Sequence, residues 1–429
     1  MPLVFLSVLD KRRGSSRVGF LTVFLMLLML VLVTLGLRSH DSMAVLRFGS
    51  SRGGKPGLSD PNDLRRWKPP KGRRIVALVF YGRKENVSIL DCYLKRNLKR
   101  NGGILDEVIF SVKTDNTADI EYLDSILDYP GYRKFVVDKQ YPGFSGSWEC
   151  VNEPDTIYIK IDDDIVFIED TAFAAVAKRL IENSHMFAVS ANVVNNPALA
   201  WVHYHKGLYE PFWPELSKPV NDVSASWRPS TIRPYKGPAS GPSDFSREGE
   251  TPAPYNGHRW RPVSYSKAEP YDIMLTPAST LTYDAFGPSL NNWAAAAQTH
   301  YSFLTHLERN DIWRYHFDIW DYMYERVSIN FFGMRGQDIM DVFPMPNRDD
   351  ELYLTIERPK ELKRHVIVDG MGVVVHFSFG PQAHAHDDRG LSMTDILDRY
   401  RGYAEETGCP TVWDHLEFDH REAAGTTQD

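Results

Sequence analysis

The sequence predicts a three-layer α/β fold on a mostly parallel sheet, preceded by a membrane-spanning helix and interrupted by an aromatic- and proline-rich insertion. Three observations carry this: strand-length apolar runs alternate with helical spacing from residue 75 to residue 161, residues 18–37 contain no charge, and residues 211–277 lose all periodicity. Alternation bounded by Gly and Asp/Asn argues for right-handed β-α-β units, hence a Rossmann-like half.

At 429 residues with 43% hydrophobic content, the chain can bury a large core. Its net charge of -7 lacks the basic excess that draws a protein to nucleic acid. The run VGFLTVFLMLLMLVLVTLGL, residues 18–37, matches the roughly 30 Å hydrocarbon core as a helix and is too long for a signal-peptide core. Lys11, Arg12, Arg13 and Arg17 precede it and Arg38, Arg47 and Arg52 follow, so the positive-inside rule favours a cytosolic N-terminus only modestly.

Residues 38–72 are rich in Gly, Pro, Ser and basic side chains and read as a stem. Strands are predicted at 75–81, 106–112, 133–137 and 156–161, with helices at 87–100 and 118–127. Further on, helical spacing returns at 292–308, 313–324 and 394–405, and strand-like runs occupy 327–332 and 371–379. The insertion carries Trp213, Trp227, Tyr235, Tyr255, Trp260, Tyr265 and Tyr271, which suit either a core or a wall against a ligand; Trp201, His203 and Tyr204 share that potential. Three cysteines, Cys92, Cys150 and Cys409, permit one disulfide at most and form no zinc spacing. Asn86-Val87-Ser88 is a glycosylation sequon, informative only on a luminal side.

The segment YIKIDDDIVFIED, residues 158–170, runs an apolar strand straight into Asp162, Asp163 and Asp164. Adjacent carboxylates at a buried strand end are costly unless a cation neutralises them, and strand carboxyl ends are where open α/β sheets bind ligands. Residues i and i+2 of an extended segment face the same way, so Asp162 and Asp164 can address one ion while Asp163 turns elsewhere. Hard oxygen ligands select Mn2+ or Mg2+, whose shell a substrate diphosphate completes. His376, inside the apolar run GVVVHFSF, can add an imidazole ligand; the competing reading is a core histidine bonded to a backbone carbonyl. His384, His386, Asp387 and Asp388 read as a solvated loop. Asp338, after the turn GMRGQ, is the candidate general base, with a helix-capping role as the alternative; Asp341, Asp349, Asp350 and Glu351 are nearby substitutes.

The same segment resembles the metal-binding stretch of GT-A fold glycosyltransferases, above all the lysine-x-Asp-Asp-Asp-x-hydrophobic pattern of the beta-1,3-galactosyltransferase group, and more broadly type II glycosyltransferase-like proteins of fungi. The match covers residues 74–191; beyond it the motifs and cysteine pattern depart from the galactosyltransferase group. The resemblance implies a Rossmann-like α/β/α mixed sheet and a Mn2+- or Mg2+-dependent hexosyltransferase-like enzyme. It would move a sugar from a nucleoside diphosphate sugar to a glycan, glycoprotein or glycolipid in the Golgi or endoplasmic reticulum. Asp162, Asp163 and Asp164 would meet metal and donor, and Tyr81, Gly82 and Arg83 would border the nucleotide. The expected organisation is a cytoplasmic tail (1–17), a signal anchor (18–37), a stem (38–72), a nucleotide-sugar-binding half (73–210), the insertion (211–290) and an acceptor-side part (291–429). A non-catalytic glycan- or nucleotide-sugar-binding protein of the same fold is the alternative. A metal-dependent hydrolase or phosphotransferase ranks last, since the sequence shows no Gly-rich phosphate loop and no second metal set.

Overall fold

Strand β1, Ile75–Tyr81, is buried along its whole length, as strands are when both faces of their sheet are covered. This computed structural model describes residues 60–409 except 139, 142, 220–225, 265–271 and 347–348. In it β1 pairs in parallel with β2 (Glu107–Val112) and β4 (Ile157–Asp162), and β3 (Tyr132–Val136) continues the parallel set beyond β2. Helices α1 (Lys84–Asn97) and α2 (Thr117–Ile126) make the crossovers. α2 starts where it does because the Asn116 side chain accepts from the backbone N–H groups of Ala118 and Asp119.

Beyond β4 the nine-stranded sheet becomes mixed. With β5 (Ile165–Ile168), β6 (Met186–Val194), β9 (Ile319–Asp321), β10 (Phe331–Arg335) and β11 (His365–His376), its order is β3-β2-β1-β4-β10-β6-β11-β5, and β9 also pairs with β11. β10 is antiparallel to both β4 and β6, β11 is parallel to β6, and β5 and β9 run antiparallel to β11. The expected, mostly parallel sheet therefore describes β1 to β4, while the strands supplied later bring the antiparallel neighbours. Helix α3 (Ala172–Glu182) packs on β6, β10 and β11. A Cβ on Gly372 would come within 2.7 Å of the Ala172 Cα, so glycine there is what lets α3 seat on β11.

Three expected elements shift. Residues 313–324 form no helix: one turn, Ile312–Tyr315, precedes β9, whose Trp320 pairs with Val368. Pairing to β11 outweighs the local periodicity. The strand foreseen at 327–332 forms four residues later at its start, and the one foreseen at 371–379 reaches back to His365.

The insertion is held by a ribbon, β7 (Phe212–Pro214) against β8 (Trp260–Pro262). Phe245 meets Trp213, Trp260 and Trp293 edge-on, and all three tryptophans are buried. These aromatics are core. Trp293 opens helix α4 (Trp293–Glu308), which Asn292 caps. Tyr265 and Tyr271 lie outside the described residues.

Because β10 and β11 complete the sheet begun by β1 to β4, the described residues of 73–210 and 291–409 belong to one compact unit. The C-terminal helix α5 (Ile396–Thr407) packs on α1, and a disulfide joins Cys92 of α1 to Cys409 just past α5. Cys150 is free and buried, and burial pushes its thiol up to about 12. Asn86 is buried too, so its amide does not face solvent for glycosylation. Among the described residues no helix is long and apolar enough to cross a membrane; the expected span at 18–37 lies outside them.

Candidate metal centre

Phe80 of β1 pairs with Asp162, so the aspartates sit where these parallel strands end together. After Asp162 the chain turns through Asp163 and Asp164 and enters β5, whose first residue, Ile165, lies opposite His376. The Phe377 N–H donates to the Asp164 carbonyl at 2.9 Å, and β11 shifts register between Val375 and His376. Such a bulge re-aims a side chain; here it accompanies an imidazole arriving beside the aspartates from the far part of the sequence.

Ligand atoms of Asp162, Asp164 and His376 all lie within 4.8 Å of one another. The Asp162 carboxylate accepts from the buried Lys160 ammonium and, at 3.0 Å, from the Asn330 amide. Lys160 also donates to the Ile329 carbonyl at 2.8 Å. Asp163 turns away and is clasped by Arg83, whose Nε lies 3.0 Å from its Oδ1. The same guanidinium reaches Asp164 Oδ2 at 3.0 Å. The other Asp164 oxygen, Oδ1, lies 3.1 Å from His376 Nε2 yet makes no hydrogen bond, and His376 Nδ1 has no partner either. Gly82 keeps the approach open, since a Cβ there would stand 3.2 Å from Asp163 Oδ2.

Burial by itself would lift the Asp164 pKa, but His376 and Arg83 outweigh it and hold the carboxyl well below its usual range. For Asp163 burial prevails over Arg83 and pushes the carboxyl up, to about 6. His376 is raised, because Asp164 overcomes the burial that disfavours imidazolium.

The residues fit a divalent ion. Two carboxylates and an imidazole converge, and the Asp164 oxygen facing the imidazole makes no hydrogen bond. The cavity they face, of about 950 Å³, is lined by six carboxylates (Asp162, Asp163, Asp164, Asp349, Asp350, Glu351) and four cations (Arg83, Lys113, Lys160, Arg326). The formal excess of two negative charges is what one divalent ion cancels. Such an ion would supply Lewis-acid stabilisation of negative charge on a bound ligand.

Tyr81, Gly82 and Arg83, for which a nucleotide border was expected, line this cavity, and Phe80, Phe144 and Phe379 supply its aromatic faces. None of the tryptophans of the insertion lines it, nor do Trp201, His203 or Tyr204.

The expected general base requires correction. Asp338 lies in a short helix, Gly336–Met340, after β10. β10 is antiparallel to β4, with Arg335 opposite Ile157, so Asp338 is at the far end of the sheet from Asp162. Both its oxygens are taken by Arg364, at 2.6 and 2.8 Å. Asp338→Asn is expected to lower the melting temperature without changing metal-dependent nucleotide binding, checked by calorimetry of both.

Of the substitutes, Asp349 and Glu351 are ion-paired with Arg326, at 2.8 and 2.7 Å. Asp350 is buried, accepts a 3.2 Å hydrogen bond from the Trp148 indole, and has its pKa raised by burial against the pull of Lys160. Lys160 and Asn330 had no assigned role from the sequence. Lys160 is legible in hindsight as the residue two before Asp162 on one strand face; Asn330 is brought by β10 pairing alone.

No protein-family profile matches the chain, and no curated protein does. Among solved structures, a 4-diphosphocytidyl-2C-methyl-D-erythritol synthase from Anaerococcus prevotii aligns at 16% identity and TM-score 0.23, over 29% of this chain and 57% of that one. Glucosyl-3-phosphoglycerate synthase from Mycobacterium tuberculosis, in complex with Mn2+, UDP and phosphoglyceric acid, aligns at 17% identity and TM-score 0.24, over 33% and 49%. A CMP:2-keto-3-deoxy-manno-octonic acid synthetase complexed with CTP aligns at 10% identity and TM-score 0.30, over 71% and 90%. The chain thus spans only about half the length of the first two. Likenesses this slight carry no inference about activity, which rests on the chain's own residues.

Proposed function

We propose that this chain is a metal-dependent glycosyltransferase of the GT-A type, moving a sugar from a nucleoside diphosphate sugar to a glycan, glycoprotein or glycolipid. The observation that carries the reading is the convergence of Asp162, Asp164 and His376 at a strand carboxyl end, their ligand atoms within 4.8 Å of one another. Those three residues hold Mn2+ or Mg2+. Arg83 and Lys113, on the cavity wall, face the donor phosphates. Tyr81 and Gly82 border the nucleotide.

Asp350 replaces Asp338 as the candidate base. Its burial strengthens it as a proton acceptor, and Arg326 does not claim it. Asp350→Asn is expected to lower kcat by about 100- to 10,000-fold while UDP binding in Mn2+ stays within a few-fold of wild type. Equal losses in both measurements would assign Asp350 to binding.

The test of the reading is release of nucleoside diphosphate by the purified full chain from a panel of nucleotide-sugars with Mn2+. Absence of transfer and hydrolysis across the panel ends the enzymatic reading; metal-dependent UDP binding without turnover would favour a binding protein.

The site belongs, in this proposal, to a single-pass type II protein of the Golgi or endoplasmic reticulum with its folded part luminal. The uncharged run at 18–37 and the Cys92–Cys409 disulfide support that placement, because disulfides persist in oxidising compartments.

A further inference from the structure

A second cavity opens at the other end of β5. Glu169 lies five residues past Asp164, about 17 Å of extended chain, and there a cavity of about 440 Å³ is lined by side chains with no part in the metal centre. At its base Glu169 and His316 are bonded at 3.0 Å, with side chains 6% and 7% exposed. Tyr93 is buried, and its hydroxyl has no partner although Arg96 and Asp170, both in the lining, act on it electrostatically. A buried hydroxyl left unpaired costs about 1–3 kcal/mol, so it marks a position for an incoming polar group. At the rim the Trp313 indole is 65% exposed, an unusual setting for the largest apolar side chain.

We propose that this cavity binds a neutral saccharide. Trp313 offers a flat face to sugar C–H groups, while the Glu169–His316 pair and the Tyr93 hydroxyl meet sugar hydroxyls. Formal charge selects neutrality: with His316 counted neutral, Arg65 and Arg96 balance Glu169 and Asp170, so the cavity has no net charge with which to attract an acidic sugar. Because it lies beyond the reach of a single sugar from the metal centre, it holds a glycan unit without competing for the donor. The site stands whether or not the chain transfers sugars.

The test presents the purified full chain to immobilised neutral oligosaccharides of mannose, galactose, glucose and N-acetylglucosamine, with sialylated and sulfated chains alongside. Neutral probes are expected to be retained, in EDTA and by Asp162→Asn alike. Trp313→Ala is expected to weaken retention about tenfold and Trp313→Phe to keep most of it. Tryptophan fluorescence should respond to the bound probe in wild type and not in Trp313→Phe. No neutral probe retained at millimolar concentration, preference for acidic probes, loss of retention in EDTA, or unchanged retention by Trp313→Ala each overturns the site. Failure of sugar transfer, with EDTA-insensitive retention intact, would sink only the transferase reading.

Discussion

In the proposed transferase, Asp164→Asn is expected to abolish the Mn2+ dependence of binding a nucleoside diphosphate such as UDP and to remove turnover by on the order of 1,000-fold, several kcal/mol of transition-state stabilisation. Asn keeps the volume of the side chain and can still face Arg83, so the fold is preserved. What it loses is the charged oxygen beside His376, the one buried carboxylate atom at the centre without a hydrogen bond. Asp163→Asn is the informative control, since Asp163 engages Arg83 and not the point where the ligands meet. Its loss should be smaller, about 10- to 100-fold, as for residues that orient a ligand. Titration calorimetry with Mn2+ and UDP separates the two. Equal effects would mean the carboxylates act only as a charge cluster, and a Mn2+ response surviving in Asp164→Asn would displace the metal from this point.

The second large effect is on stability. Cys92→Ser is expected to lower the free energy of unfolding by about 2–5 kcal/mol, measured by urea titration of oxidised wild type and variant. The bridge closes a loop of 317 residues, and longer loops lose more entropy from the unfolded chain when closed. Cys409→Ser should match it, and the double variant should add little, because either substitution removes the same link. Cys150→Ser serves as the contrast, a free buried thiol with no disulfide to lose.

The parallel half of the sheet was legible because strands buried on both faces read as unbroken apolar runs, as in IVALVFY and EVIFSV. The pair Asp162 and Asp164 was legible from the two-residue period of a strand, and His376 from its place in an apolar run. Asp338 was misplaced for a reason of direction. GMRGQD does open a short helix, as its pattern suggests, but which end of the sheet receives that helix depends on β10 running against β4. Nothing within five residues encodes that pairing. Asp350 was indistinguishable from Asp349 and Glu351 in sequence; Arg326, more than twenty residues earlier, separates them by claiming two of the three.

The bond from Phe377 to Asp164 and the register shift beside it set an order of events during synthesis. A ribosome that has made β1 to β5 has already joined all three aspartates, yet the imidazole that meets them comes 212 residues after Asp164 (376 − 164). The nascent protein therefore carries an incomplete ligand set over that whole stretch, and the centre closes only when β11 threads in beside β5 and β6. A product terminated before His376 would be full of acidic residues at a strand end and still lack a centre.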